Sequence, residues 1–215
     1  MLKNEISGTQ RIAPNVEEAN EILANNFFNR LTKTNVYVYF ISYTAILCYF
    51  IYYSLNHMSI LNFLCALASG FFVWTFVEYS MHRFSFHYKS SYSAIKLFTF
   101  LFHGVHHAYP RDISRSITPL FMSALIAISF FIIFKKISPI YSEGIFSGFI
   151  LGYLLYTIIH DSTHHFALNY PALKQLKINH MNHHYYNTNK NFGVTSPLWD
   201  FVFGTYSSRT TKFED

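Results

Sequence analysis

Four apolar runs without a charged residue, at 36–55, 60–77, 117–134 and 145–159, decide most of what this chain can fold into. The first three have the ~17 to 25 residues that cross about 30 Å of hydrocarbon as a helix. The fourth has fifteen, but neither Gly nor Pro interrupts it between Gly152 and His160, so its helix is expected to continue past the lipid. Only 13% of the residues are charged, about half the share usual for a soluble domain, and 51% are hydrophobic. At 215 residues the chain is long enough for one domain. The expectation is an all-α integral membrane protein with four transmembrane helices, forming one domain over 36–215 behind a short segment, 1–35.

Four spans leave both termini and the stretch between the second and third spans on one side. Fourteen of the sixteen Lys and Arg lie there, four before the first span, five within 78–116 and five after 160. The turn at 54–59 has none, and the loop after the third span has only Lys135 and Lys136. By the positive-inside rule the basic side faces the cytoplasm. That membrane is the endoplasmic reticulum in a eukaryote and the cytoplasmic membrane in a bacterium. The first twenty residues contain no apolar leader, so the first span is expected to direct insertion. Asn15 followed by Glu18 reads as a helix start. Ile22, Leu23, Phe27 and Leu31 follow at helical spacing, fitting an amphipathic helix on the membrane surface or packed on the domain. The net charge of +5 is scattered without a basic run, so no nucleic-acid partner is expected. Cys48 and Cys65 fall inside the first two spans and offer neither a disulfide framework nor a cysteine-ligated zinc site.

Eleven of the twelve histidines fall in four clusters on the basic side: His82 and His87; His103, His106 and His107; His160, His164 and His165; His180, His183 and His184. They would form a histidine-rich helical cap from 78–116 and 160–215, while His57 sits alone in the turn on the far side. Neutral imidazole binds zinc, copper, iron and nickel, and one metal rarely takes more than six protein ligands. Ten or eleven clustered histidines therefore imply two metals. The pattern His-x-x-His-His occurs at both 103 and 180, as a paired site would require. His103 and His107 are one helical turn apart with His106 offset, and His160 and His164 are likewise one turn apart with His165 pointing about 100° away. His82 and His87 are five apart, about 140° round an α-helix, and converge only if that helix ends or bends near residues 84–86. Residues 94–102 are too short to span and read as a re-entrant or interfacial helix. Residues 172–185 read as a short helix, and 193–206 as a loop against the cap.

No His-Glu-x-x-His is present, so a zinc metalloprotease has no support. A transporter would want ionisable residues within the spans, and these have none. A two-metal site at the lipid surface suits oxidation of an acyl or sterol chain, which needs an activated oxygen species that redox-silent zinc does not make.

Four stretches, Glu78-Tyr-Ser-Met-His-Arg-Phe-Ser-Phe-His87, His103-Gly-Val-His-His-Ala-Tyr-Pro-Arg-Asp112, His180-Met-Asn-His-His184 and Phe192-Gly-Val-Thr-Ser-Pro-Leu-Trp-Asp200, closely resemble the fatty acid 2-hydroxylases. These belong to the sterol desaturase and fatty acid hydroxylase superfamily of membrane di-iron enzymes, and the resemblance covers about 60–206. It implies metal ligands at His82, His87, His103, His106, His107, His160, His164, His180, His183 and His184. His165 is left over, beside the ligands or capping the helix. Glu78, Asp112, Asp161 and Asp200 are candidate acceptors for ligand N–H groups. Tyr156 and Thr157 are candidate substrate contacts, with Thr157 standing where relatives tend to carry Asp.

The same resemblance implies two iron ions, replaceable by zinc on purification, with O2 as cosubstrate and a lipid acyl chain hydroxylated at C2. Many eukaryotic relatives carry a fused cytochrome b5. The 35 residues before the first span are too few for one, so a separate electron donor is expected, a cytochrome b5 or a ferredoxin with its reductase. Two alternatives stay open. One is another lipid oxidation of the superfamily, sterol methyl oxidation, carotenoid hydroxylation or desaturation; the other is a non-catalytic metal-binding or transport protein.

Overall fold

Each long apolar run becomes one helix, and local chemistry sets where it starts. The computed structural model describes residues 16–208, so the proposed Asn15 cap lies outside the described residues. The first helices are α1 (Val16–Leu23) and α2 (Asn26–Leu31), separated where the Asn25 side chain accepts the Phe27 N–H. The single amphipathic helix expected here is thus divided, because Asn is a better cap than an interior helix residue. The Asn35 side chain starts α3 (Val36–His57), and Ser59 starts α4 (Ile60–Ser80). Shorter helices α5 (Ser93–Thr99) and α6 (Val105–Ala108) follow.

The third span, α7, runs Leu120–Ile137. It begins three residues later than the apolar run because Pro119 disfavours helical geometry in the residue before it. The fourth, α8, runs Ser142–His165, which carries it beyond the apolar stretch into the histidine cluster. Pro171 opens α9 (Pro171–Tyr185), where a missing N–H costs nothing. The tail read as a loop contains one helical turn, α10 (Leu198–Val202), docked on α4 through the Trp199 indole N–H to Thr75 Oγ1 at 3.0 Å. Among the described residues no strand occurs.

Four helices, Val36–His57, Ile60–Phe86, Leu120–Ile137 and Ser142–His165, are long and apolar enough to cross a membrane. Large apolar side chains such as Tyr37, Ile41, Tyr52, Leu61 and Ile128 stand exposed around them, as lipid-facing residues would. The central contact is between α4 and α8, and glycine makes it possible. A methyl group on Gly148 would lie 1.9 Å from the Leu67 carbonyl oxygen, and one on Gly70 would lie 1.8 Å from that of Ile145. Gly144, Gly148 and Gly152 form a stripe at four-residue spacing, the small-residue seam by which helices approach closely in lipid. Aromatic rings from α3, α4 and α8 fill the space above the seam, including Tyr39, Tyr43, Trp74, Phe149 and Tyr153. The Tyr43 hydroxyl donates to Ser123 on α7 at 2.8 Å. At one end Lys135 and Glu143 pair across the α7–α8 turn. The histidine clusters gather at the opposite end.

Candidate metal centre

His82 and His87 meet through a local change of helix type. After Ser80, α4 widens into a π-helical turn, Met81–Phe86, in which backbone bonds span five residues instead of four. Five residues then complete about one turn, and the two imidazole centroids lie 5.0 Å apart. A second π-helical turn, Phe100–Gly104, carries His103 and leads into α6. The interval of five between His82 and His87 was the sequence signal for the first; nothing comparable marked the second.

The ten histidines expected as ligands come together as two groups of five. One contains His82, His87, His103, His107 and His183; the other contains His106, His160, His164, His180 and His184. Within each group one nitrogen from every ring lies within 4.8 Å of the others. The repeated His-x-x-His-His explains the division. On a helix its first and last histidines share a face, and the middle one is offset. Across the second π-helical turn and α6, the pair His103 and His107 enters the first group and His106 the second. On α9 the pair His180 and His184 enters the second group and His183 the first.

These donors fit metal ions. His103 and His107 approach Nε2 to Nε2 at 3.0 Å, His87 and His183 at 2.9 Å, and His106 and His164 at 3.1 Å. Two nitrogens each about 2.1 Å from one ion and at right angles to it would be about 3 Å apart. His164 Nε2 also lies 2.8 Å from His180 Nε2. A single imidazole nitrogen cannot donate to one such neighbour while accepting from the other, whereas a shared cation satisfies all three. The Nε2 atoms of His82, His160 and His184 are buried without a hydrogen-bond partner.

The electrostatics point the same way. Burial, followed by the surrounding imidazoles, holds His103, His106, His107, His180, His183 and His184 well below the usual histidine range. They stay neutral, which is the ligating form.

The four carboxylates do not hold ligand N–H groups. Main-chain carbonyls do so: His82 Nδ1 lies 2.6 Å from the Phe192 oxygen, and His183 Nδ1 lies 2.8 Å from that of Lys190. Glu78 instead accepts the Val194 and Thr195 N–H groups, at 2.6 and 2.9 Å, and the Thr195 hydroxyl. Asp200 accepts the Phe192 and Gly193 N–H groups at 2.9 and 2.8 Å. Asp112 binds Ser114 and Arg115 within its own turn. Asp161 accepts the Ser116 hydroxyl at 2.8 Å and lies 3.1 Å from His165. His165 joins neither group; its Nδ1 also meets the Asp161 carbonyl, and its Nε2 meets that of Arg111.

An apolar cleft of about 40 Å³ lies among α4, α7 and α8, and two of its lining residues, Tyr156 and Phe86, touch the histidines. The Tyr156 ring stacks on His160 at 5.5 Å, and that of Phe86 on His103 at 5.0 Å. Thr157 turns the other way, and its Oγ1 lies 2.9 Å from the Tyr39 hydroxyl. Sequence reasoning missed Phe86, although it stands beside His87.

A family model described as fatty acid hydroxylase matches residues 67–205. The dihydroceramide fatty acyl 2-hydroxylase FAH1 of Arabidopsis thaliana is 42% identical over 144 residues, 66% of this chain and 60% of its own length. The ceramide very long chain fatty acid hydroxylase SCS7 of Saccharomyces cerevisiae is 38% identical across 86% of this chain and 49% of its own. The chain therefore spans about half to three fifths of the length of these two relatives. A solved structure of full-length scs7p, in which only the hydroxylase domain is visible, superposes with a TM-score of 0.80 at 33% identity, covering 88% of this chain and 73% of that one.

Proposed function

The chain belongs to the fatty acid hydroxylase family, and we propose that it hydroxylates C2 of a fatty acyl chain, using O2 and two electrons. The observation that carries this reading is the pair of five-histidine groups beside an apolar cleft between membrane-spanning helices. We take residues 36–215 as a single hydroxylase domain with its histidine face on the cytoplasmic side, and 1–35 as its lead-in. The ten grouped histidines would hold two iron ions, which when bound supply the redox chemistry for activating O2 that zinc lacks. Zinc can replace iron in purified protein because imidazole accepts both.

The chain's own residues have three tasks. The histidines, kept neutral by burial, present lone pairs toward two points. Tyr156 and Phe86, which line the cleft and stack on His160 and His103, would hold the acyl chain near its carbonyl end. The aromatic walls exclude water from the reacting carbon. The acyl chain is free, thioester-linked or part of a ceramide, and the names of the two relatives favour ceramide as the first carrier to test. A separate donor, a cytochrome b5 or a ferredoxin with its reductase, would deliver the electrons.

Lipid mass spectrometry on cells with and without the gene tests this. Expression should add 2-hydroxy acyl chains, and His106→Ala or His183→Ala should abolish the gain. A changed sterol or carotenoid with no 2-hydroxy acyl product would overturn it, as would metal flux with no oxygen-dependent product.

A further inference from the structure

We infer that the two histidine groups are unequal metal sites, and that Glu78 and Asp200 are positioning residues that make the first group the tighter. This rests on the proposed reading of the groups as metal sites.

The difference lies in the ring nitrogens that face away from the metal positions. A neutral imidazole ligating through Nε2 carries its proton on Nδ1, and an acceptor there fixes the ring and raises its basicity. In the first group His82 and His183 have such acceptors, the carbonyls of Phe192 and Lys190. In the second, His106 and His180 have Nδ1 atoms buried without a partner. His160 leans on a main-chain group there, at Ser116.

Those two carbonyls belong to one short loop, 190–195, which packs at the end of α4. Two buried carboxylates hold it, Glu78 from α4 and Asp200 from α10. Asp200 takes the N–H groups of Phe192 and Gly193, while Glu78 takes those of Val194 and Thr195. Four successive N–H groups are therefore bound to two carboxylates, with the Phe192 carbonyl among them; the Lys190 carbonyl lies just upstream, where the Asn191 N–H donates to the carbonyl of Thr205 at 2.9 Å and the Thr205 hydroxyl donates to Asp200. Gly193 is required for the fit, because a methyl group there would lie 2.1 Å from the Ser196 carbonyl oxygen. Asn191 enters the loop at a φ of +56°, and its side chain bridges to the Ser207 main chain. Among the described residues the second group's support comes from elsewhere, the Ser116 segment held by Asp161, so loosening this loop should be felt at the first group alone.

The test is metal release from purified protein in detergent, loaded with zinc and challenged with excess chelator. Two equivalents should leave in two phases. His164→Ala should remove the fast phase, and His87→Ala the slow one. Asp200→Asn should speed the slow phase by about 10- to 100-fold and leave the fast phase unchanged. If Asp200→Asn does not fold, Thr195→Val decides, since it removes one hydroxyl from Glu78 and leaves both N–H donors; it should speed only the slow phase, severalfold. Release of both equivalents at one rate, assignment of the slow phase to the second group, or equal acceleration of both phases overturns the inference. Loading of fewer than two equivalents overturns the metal reading beneath it as well.

Discussion

His106 and His107 are neighbours in the chain but belong to different histidine groups, with their rings 6.0 Å apart at 74°. Successive helical residues point about 100° apart, so a helix end placed between two sites serves both. His183 and His184 do the same from α9. Two short helices thus set the distance between the groups. His106→Ala and His107→Ala are each expected to lower the bound metal by about one equivalent, and the double variant to remove both. Each single change should abolish the 2-hydroxy product, a larger loss than the ~10- to 100-fold usual when only a partner of a ligand is removed. Elemental analysis beside lipid mass spectrometry checks this, and loss of both equivalents from either single variant would contradict the division.

The α4–α8 seam has no room for a side chain at Gly148, where a Cβ would meet main chain rather than a movable side chain. Gly148→Leu must push the helices apart. It should cost more than the ~1 to 3 kcal/mol usual for overpacking and lower the melting temperature in detergent. Product should fall too, because these helices carry His82 at one helix end and His160 at the other. Gly204→Ala is the comparison, having open space around it but a φ of +66° that burdens any L residue modestly.

How much of this was legible in the sequence varies by kind of interaction. The spans could be read because lipid demands about twenty apolar residues in a row, and the histidines because their clustering has no bland explanation. The sharing of His106 and His107 between groups could not be read, since it depends on where α6 and α9 pack. Glu78 and Asp200 were read as touching ligand N–H groups because carboxylates are the acceptors a sequence displays; the carbonyls of Phe192 and Lys190 do it instead, and every residue has a carbonyl. The stripe Gly144, Gly148 and Gly152 was open to reading as a close-packing seam and was passed over as part of an apolar run.

Tyr156 and Thr157 are adjacent but face different neighbours. Tyr156 lines the cleft and stacks on His160, so Tyr156→Ala should open that end and change the acyl chain lengths in the product. Thr157 is buried and bonded to Tyr39 and to the Tyr153 carbonyl. Thr157→Val leaves the Tyr39 hydroxyl buried without that partner, at about 1 to 3 kcal/mol. The melting temperature should register it. An unchanged melting temperature with an altered product profile would mean that Thr157 reaches the substrate after all.

Acid should destabilise the metal-free protein, and the buried histidines fix the direction. His103, His106, His107, His180, His183 and His184 are held neutral in the folded state, far below their ordinary value of 6.5. Once unfolded, each takes up a proton near that value. Below about pH 6.5 the unfolded chain therefore binds more protons than the folded one, and stability falls as pH falls. It is fully present above that value. Each ring kept neutral costs about 1.4 kcal/mol for every further unit of acid. Melting temperature in detergent, free of metal, should be flat between about pH 8 and 7 and drop steeply below about 6.5. Bound metal occupies the same nitrogens and should carry the plateau to lower pH, until protons displace it. A metal-free melting temperature that stays level down to about pH 5 would mean that these imidazoles are not held neutral in the fold.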